Sequence, residues 1–217
     1  MSETGQIRRA RRSDARAIAQ IQVETWRSAY AGMLPDRVMV EMSVDSKASY
    51  WRRVIERQGQ HELVLVAEVP LAGLVGFASC GRARPGSPVE GGEIQTLYVL
   101  PDWQEQGFGR RLLCNCLRIV RGAAMNSAFA WVLAANPSRF FYEAMGAKKM
   151  GERVELLWGA EVTEYAYGWY DLRKLPEPCR RQRGRSGGGS AGGSGGGGTE
   201  SGSGGEPDGD PSGAETE

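Results

Sequence analysis

Histidine is nearly absent: His61 is the single copy in 217 residues. A Ser/His/Asp nucleophile system therefore has no convincing set of members, and a zinc site lacks its commonest nitrogen ligand. Cysteine is scarce as well. Cys80, Cys114, Cys116 and Cys179 show no metal-ligand spacing, and Cys114 and Cys116 sit two apart in an expected helix, pointing to different faces. Reduced cysteines, no metal and a cytoplasmic setting are the expectation. Long apolar runs are missing: no window approaches the ~20 apolar residues of a membrane span. The opening MSETGQIRRARRSDARAIA has no uninterrupted apolar stretch behind its basic residues, so no secretory leader and no membrane contact are expected. Lysine is rare, four against 23 arginines, and the net charge is only +1. The arginine runs at 8–12 and 180–185 then read as ordinary arginine-rich surface, and no nucleic-acid partner is expected.

Glycine is plentiful but uneven. Fifteen of the 31 glycines fall from Gly184 onward, in a stretch with no aliphatic residue larger than Ala. Such a segment cannot bury enough apolar surface to offset the entropy of ordering it. Residues 179–217 are read as a disordered Gly/Ser-rich tail with six acids against four arginines, and residues 1–178 as one folded domain.

Within that domain QIRRA reads as a strand, and Ser13 as the cap of a helix carrying Ile18, Ile21, Thr25 and Trp26. A second helix is expected from Pro35 and a third over DSKASYWRRVIERQ. ELVLVAE and LAGLVGFASCG form a hairpin. GEIQTLYVL is a strand, a helix runs from Gly107 to about Val120, and AFAWVLAA is the next strand. That spacing predicts a right-handed crossover with two parallel neighbours. Asn136-Pro137 opens a short helix, and two strands joined at Gly159 close the domain. The sum is an α/β fold with a mixed sheet.

The stretch LYVLPDWQEQGFGRRLL holds the main chemical clue. A helix starting near Gly107 offers unsatisfied N–H groups and the positive end of its dipole, and glycines let an anion approach the backbone. Position 112 is Leu, so the dinucleotide fingerprint fails, and no Gly-Lys-Ser/Thr marks a nucleoside-triphosphate loop. On the residues alone, a tight packing turn and a phosphate site both stand.

Gln104 to Gly109 fits Q/R-x-x-G-x-G/A, and NPSRFFYEAMGA resembles N-x-x-A-x-x-F-Y-E-x-x-G-F/A. In that order the two motifs resemble those of the GCN5-related N-acetyltransferases, the GNAT superfamily, and the similarity runs through residues 7–172. The resemblance implies a central mixed sheet of about seven strands, splayed between two parallel strands and flanked by about four helices. It implies acetyl-CoA as co-substrate, with the pyrophosphate on the amides of Gln106, Gly107, Phe108, Gly109 and Arg110 and with Gln104 shaping the turn. The pantetheine arm would pair with the backbone of Leu97, Tyr98 and Val99, and Asn136 would bond that arm, cap the next helix, or both. Arg110 and Arg111 add charge near phosphate or lie on the exposed helix face.

Attack of an amine on a thioester needs a neutral amine, a stabilised oxyanion and a leaving thiol. By resemblance Tyr142 is the acid at the sulfur, with a packed core aromatic as its alternative. Val99 N–H would meet the oxyanion. Glu93, at the start of the pantetheine strand, is the proton acceptor or a solvated strand-end carboxylate, and Glu90 is a lesser candidate. Trp26, Tyr30, Met33 and Leu34, with Trp51, form an acceptor wall or plain helix packing. Arg139 stands where the family commonly has a small residue. The acceptor is a small-molecule amine or a peptide or protein amine, and a homodimer is compatible with the family. A non-catalytic acyl-CoA-binding or sensing module is the alternative function.

Overall fold

The structure, a computed structural model, describes residues 5–29, 42–59, 62–157, 159–180 and 215–216. Seven strands build one mixed sheet: β1 (Gln6–Arg9), β2 (Glu62–Val69), β3 (Gly73–Arg82), β4 (Gly92–Val99), β5 (Ala128–Leu133), β6 (Lys148–Leu157) and β7 (Ala160–Trp169). Their order is β1-β2-β3-β4-β5-β7-β6. All neighbours are antiparallel except β4 and β5. Four helices are described: α1 (Ala15–Ala29), α2 (Val44–Arg57), α3 (Phe108–Gly122) and α4 (Arg139–Ala144). This is the expected architecture. The helix expected from Pro35 lies outside the described residues.

The parallel pair is short. Only Gly92↔Ala128 and Glu93↔Phe129 are in register, after which β4 and β5 part company. The splay leaves the β5-facing edge of β4 from Ile94 to Val99 without a neighbouring strand from the domain's sheet. A two-residue strand near the chain end, β8 (Glu215–Thr216), lies parallel to that edge, opposite Thr96 and Leu97.

A second irregularity sets which side chains face which layer. Ser79 pairs with Thr96 but Cys80 with Ile94, so Gln95 is an extra residue in β4. The extra residue shifts the two-residue alternation by one step. Ile94 and Leu97 therefore both face the layer of α3 and α4, whereas Tyr98 faces α1 and α2.

Both layers follow from sequence periodicity. Helix α3 buries Phe108, Leu112, Leu113, Cys116, Leu117 and Val120 at helical spacing against the sheet. Each such side chain contributes about 1.5–3 kcal/mol by leaving water, and truncating fully buried Leu117 to Ala would cost about 2–5 kcal/mol. On the opposite face α1 and α2 bury Ile18, Trp26, Trp51 and Ile55 over Val64, Val66, Phe77 and Tyr98. The entry to α1 differs from the expected Ser13 cap. Asp14 accepts the Arg11 N–H (2.7 Å) and the forked guanidinium of Arg8 (2.7 and 3.1 Å), so the carboxylate organises this turn.

The expectation of reduced cysteines is overturned for one pair. Cys114 on α3 and Cys179 form a disulfide, while Cys80 and Cys116 remain buried thiols. Spacing along the chain could not reveal this, because residues 170–180 fold back along α3. Leu172 N–H donates to Asn126 O (2.6 Å), Arg118 donates to Cys179 O (2.8 Å), and Leu172 and Leu175 are buried. Among the described residues no helix is long and apolar enough to cross a membrane, and no group of three His, Cys, Asp or Glu could hold a metal ion.

Candidate active site

Most of the residues expected to form the site lie along β4 and the turn that follows it. After Val99 the chain makes one 3-10 turn (Pro101–Trp103) and then returns into α3. Gln104 Nε2 donates to Val99 O (3.2 Å), and Gln106 Nε2 donates to Asp102 O (2.9 Å), so both glutamines shape the turn. Gly107, at φ 84° and ψ 5°, is the N-cap of α3 in the left-handed region that favours glycine. The first helical bond, from Arg111 N–H to Gly107 O (3.0 Å), leaves the amides of Phe108, Gly109 and Arg110 with no intrahelical acceptor.

Gly109 is informative for a different reason. A Cβ there would meet Phe141 at 3.7 Å and Leu97 at 3.8 Å, which is ordinary contact, and its φ is not positive. Neither packing nor backbone conformation demands glycine at 109.

The neighbouring arginines divide their work. The Arg110 guanidinium reaches back over the turn, 3.7 Å from where a Cβ of Gly107 would stand. Arg111 turns the other way, donating to Gly5 O and lying over the Phe108 ring at 5.4 Å. Phe108 itself is core, edge-on to Trp103. Arg110 is thus the side-chain cation at the turn.

At the end of β5, Asn136 is buried and its Oδ1 accepts the Ser138 N–H (2.7 Å), the local turn that launches α4. Arg139 stacks on the half-exposed Phe140 ring (4.4 Å), away from the buried face of the helix. Tyr142 is fully buried, edge-on to Phe141 (5.2 Å), stacked on Tyr167 (6.5 Å) and tilted against Trp169 (6.4 Å). Tyr167 donates to Glu143 (2.8 Å), and burial together with that bond pushes its hydroxyl pKa up.

The opposite face of β4 is polar. Glu93 is 0% exposed, and both carboxylate oxygens are held by Arg84, Nη2 to Oε1 at 2.6 Å and Nε to Oε2 at 3.2 Å. The hydrogen bonds that Arg84 donates to Glu93 raise the guanidinium pKa. Beside them Thr96 Oγ1 donates to Ser79 Oγ (2.9 Å), and Ser79 Oγ donates to Gln95 Oε1 (3.3 Å). Burial pushes the Glu62 carboxyl up, with a Ser79 hydrogen bond and the charge of Arg84 pulling it down. Farther along, burial raises Glu164 against the opposing charge of Arg153, which also binds Glu155 and lies over Trp131.

Trp26 is fully buried, its indole N–H donating to Tyr98 Oη (2.9 Å), and Trp51 donates to Gln22 (2.8 Å). Tyr30, Met33 and Leu34 lie outside the described residues. The residues that sequence reasoning missed are Arg84 and Glu62. For Arg84 one signal existed: the loop before the Glu93 strand carries a cation, although Glu93 itself is expected at the strand's start rather than enclosed.

The profile of the Acetyltransferase (GNAT) family matches residues 18–147. The uncharacterized N-acetyltransferase YuaI of Bacillus subtilis (strain 168) is 29% identical over 169 residues, covering 78% of this chain and 95% of the relative. Among solved structures, PaiA N-acetyltransferase from Thermoplasma acidophilum in complex with coenzyme A aligns with a TM-score of 0.57 at 20% identity, over 75% of this chain and 98% of that one. The protein yncA from Salmonella typhimurium with its cofactor acetyl-CoA aligns with a TM-score of 0.58 at 19% identity, over 84% and 98%. At these identities the solved structures show a shared fold.

Proposed function

This chain belongs to the acetyltransferase (GNAT) family, and we propose from that premise that it is an acetyl-CoA-dependent N-acetyltransferase. The acetyl group would pass from the thioester to a primary amine by direct attack. One observation carries the reading: a glycine turn with three unclaimed helix amides stands at the end of a strand whose β5-facing edge the splay has opened. The amides of Gln106 to Arg110, with the Arg110 guanidinium, suit a pyrophosphate. The opened edge at Leu97, Tyr98 and Val99 suits an amide-bearing pantetheine arm as an added strand. Asn136 accepts the Ser138 N–H in the turn that precedes α4, three residues beyond the end of the neighbouring strand.

The chemistry follows from the thioester. The amine nitrogen forms the new bond to the acetyl carbon, and the carbon–sulfur bond breaks to release coenzyme A as the thiol. Val99 N–H serves the developing oxyanion, Tyr142 gives its proton to the departing sulfur, and Glu93 accepts a proton from the amine. Trp26 backs the acceptor side through its bond to Tyr98. The acceptor is a small-molecule amine or an exposed amine of a peptide or protein, and a homodimer is compatible with the reading.

The deciding experiment is thiol release from acetyl-CoA with an amine panel, run on the wild type and Tyr142→Phe. Wild-type transfer, with the variant turning over about 10²-fold more slowly at unchanged acetyl-CoA affinity, is expected. Binding of acetyl-CoA without transfer to any amine favours a non-catalytic acyl-CoA-binding module. The geometry that favours this second reading is the occupation of both Glu93 oxygens by Arg84.

A further inference from the structure

Enclosed carboxylates need a cationic partner, and Glu93 has one in Arg84. The two differ sharply in position: the Glu93 side chain is 0% exposed and that of Arg84 47%. Arg84 sits on the β3–β4 connection, which is pinched at its base by Ala83 N–H donating to Gly91 O (2.8 Å) and tied by Ser127 Oγ donating to Glu90 O (2.8 Å). Between those ties runs Arg-Pro-Gly-Ser-Pro, exposed or half-buried throughout. The guanidinium is therefore the outer layer over an inner carboxylate, on a loop turned by Ser87 N–H donating to Arg84 O (3.2 Å) and packed through Val89 beside Trp131.

The other groups facing this pair are acidic or neutral. Glu62 approaches from β2, Tyr50 from α2 and Glu155 from β6, while Glu164 of β7 faces Arg84. Arg153, the remaining nearby cation, is bound to Glu155 and Glu164. If Arg84 withdrew, this corner would be short of one positive charge with hydrogen-bond donors.

We propose that Arg84 is a displaceable stand-in for the acceptor: it holds Glu93 in the acceptor-free protein and yields that place to the ammonium group of a cationic amine. The inference rests on the reading of Glu93 as the proton acceptor. Exchanging one cation for another never leaves the buried carboxylate bare. It also makes Arg84 a specificity residue, favouring acceptors that arrive as alkylammonium ions over amines that are neutral at working pH.

The test uses the full chain saturated with coenzyme A, so that nothing turns over, and n-butylammonium chloride as probe. Tetramethylammonium chloride, which has no N–H donor, is the control. The Arg84 Nε–H signal in ¹⁵N NMR, assigned by its loss in Arg84→Lys, should move to a solvent-exposed position with the probe alone. Its exchange with water should quicken about tenfold or more. Arg84→Met should bind the probe about tenfold tighter than wild type at about pH 8, because no resident guanidinium has to leave. Arg84→Lys, which keeps the charge and loses the fork, should fall between them. A purely structural Arg84 would give weaker or equal probe binding on removal.

An Arg84 signal unmoved through the whole titration overturns the proposal, as does an Arg84→Met variant with wild-type melting that binds the probe no tighter. If Arg84→Met does not fold, the wild-type titration decides alone. Failure of coenzyme A to bind would instead overturn the acetyltransferase reading.

Discussion

Replacing both Cys114 and Cys179 with alanine should cost about 4 kcal/mol of stability. The crosslink joins residues 65 apart, and chain entropy assigns a closed loop of that length about 4 kcal/mol at 25 °C. Little native packing is lost with it. Leu172 and Leu175 stay buried, and the Leu172–Asn126 and Arg118–Cys179 backbone contacts do not involve sulfur. For a folded part of this size each kcal/mol moves Tm by about 2–4 °C, so the double variant should melt about 10 °C lower in calorimetry. The crosslink leaves α3 about two turns beyond Gly107, so acetyl-CoA affinity should not change. A thiol count in denaturant without reductant gives an independent reading, with two of the four cysteines titrating. Four free thiols, or a double variant melting within about 2 °C of wild type, would refute the reasoning.

Acid should weaken the protein through the Arg8 cluster. Arg8 and the Arg11 N–H hold Asp14 below the ordinary carboxylate range against its burial, and Arg8 with Gln6 holds Glu68 at about 2. The unfolded chain binds protons near pH ~4 and the folded chain only lower, so stability is present above that pH and drains as pH falls toward about 2. Arg8→Met should flatten this limb in melting curves, and an unchanged slope would contradict the assignment. Gly107→Ala should destabilise by about 1–2 kcal/mol through its left-handed φ, read as a denaturant midpoint shift. Deleting residues 184–217 should leave acetyl-CoA affinity within about twofold. The two-residue pairing of β8 is worth only about 1 kcal/mol per bond. Calorimetry showing tenfold tighter binding in the truncated protein would mean that β8 holds the groove.

The order of strands and helices was legible because each carries its own period: VLVA and AFAWVL for buried strands, Leu112 to Val120 for a one-sided helix. The turn at Gly107 was legible because a left-handed cap and unclaimed amides need glycine whatever the rest of the fold does. Gln95 was not. A bulge is defined by its partner strand, and nothing within EIQTLYV says that Cys80 pairs with Ile94 rather than with Gln95. The phase that brings Glu93 to the polar face was hidden with it. Arg84 escaped for a similar reason, since its pairing with Glu93 depends on how the loop is pinched by Ala83 and Gly91. Trp26 shows the limit from the other side. An aromatic on a helix face reads equally as pocket wall or core, and only the distance to Tyr98 shows how it is bonded.

Calorimetric titration of acetyl-CoA, with NAD as a control, tests the central claim most directly on the wild type and Gly109→Val. The account predicts binding on the order of micromolar in the wild type, no binding of NAD, and loss of at least about tenfold in the variant at unchanged Tm. The surroundings of Gly109 tolerate a Cβ, and the Tm comparison shows whether they also accept the two γ-methyls, so a fall in affinity at unchanged Tm reports the ligand rather than the fold. A folded wild-type protein that does not bind acetyl-CoA, or a variant that binds it equally well, would contradict the assignment of the turn.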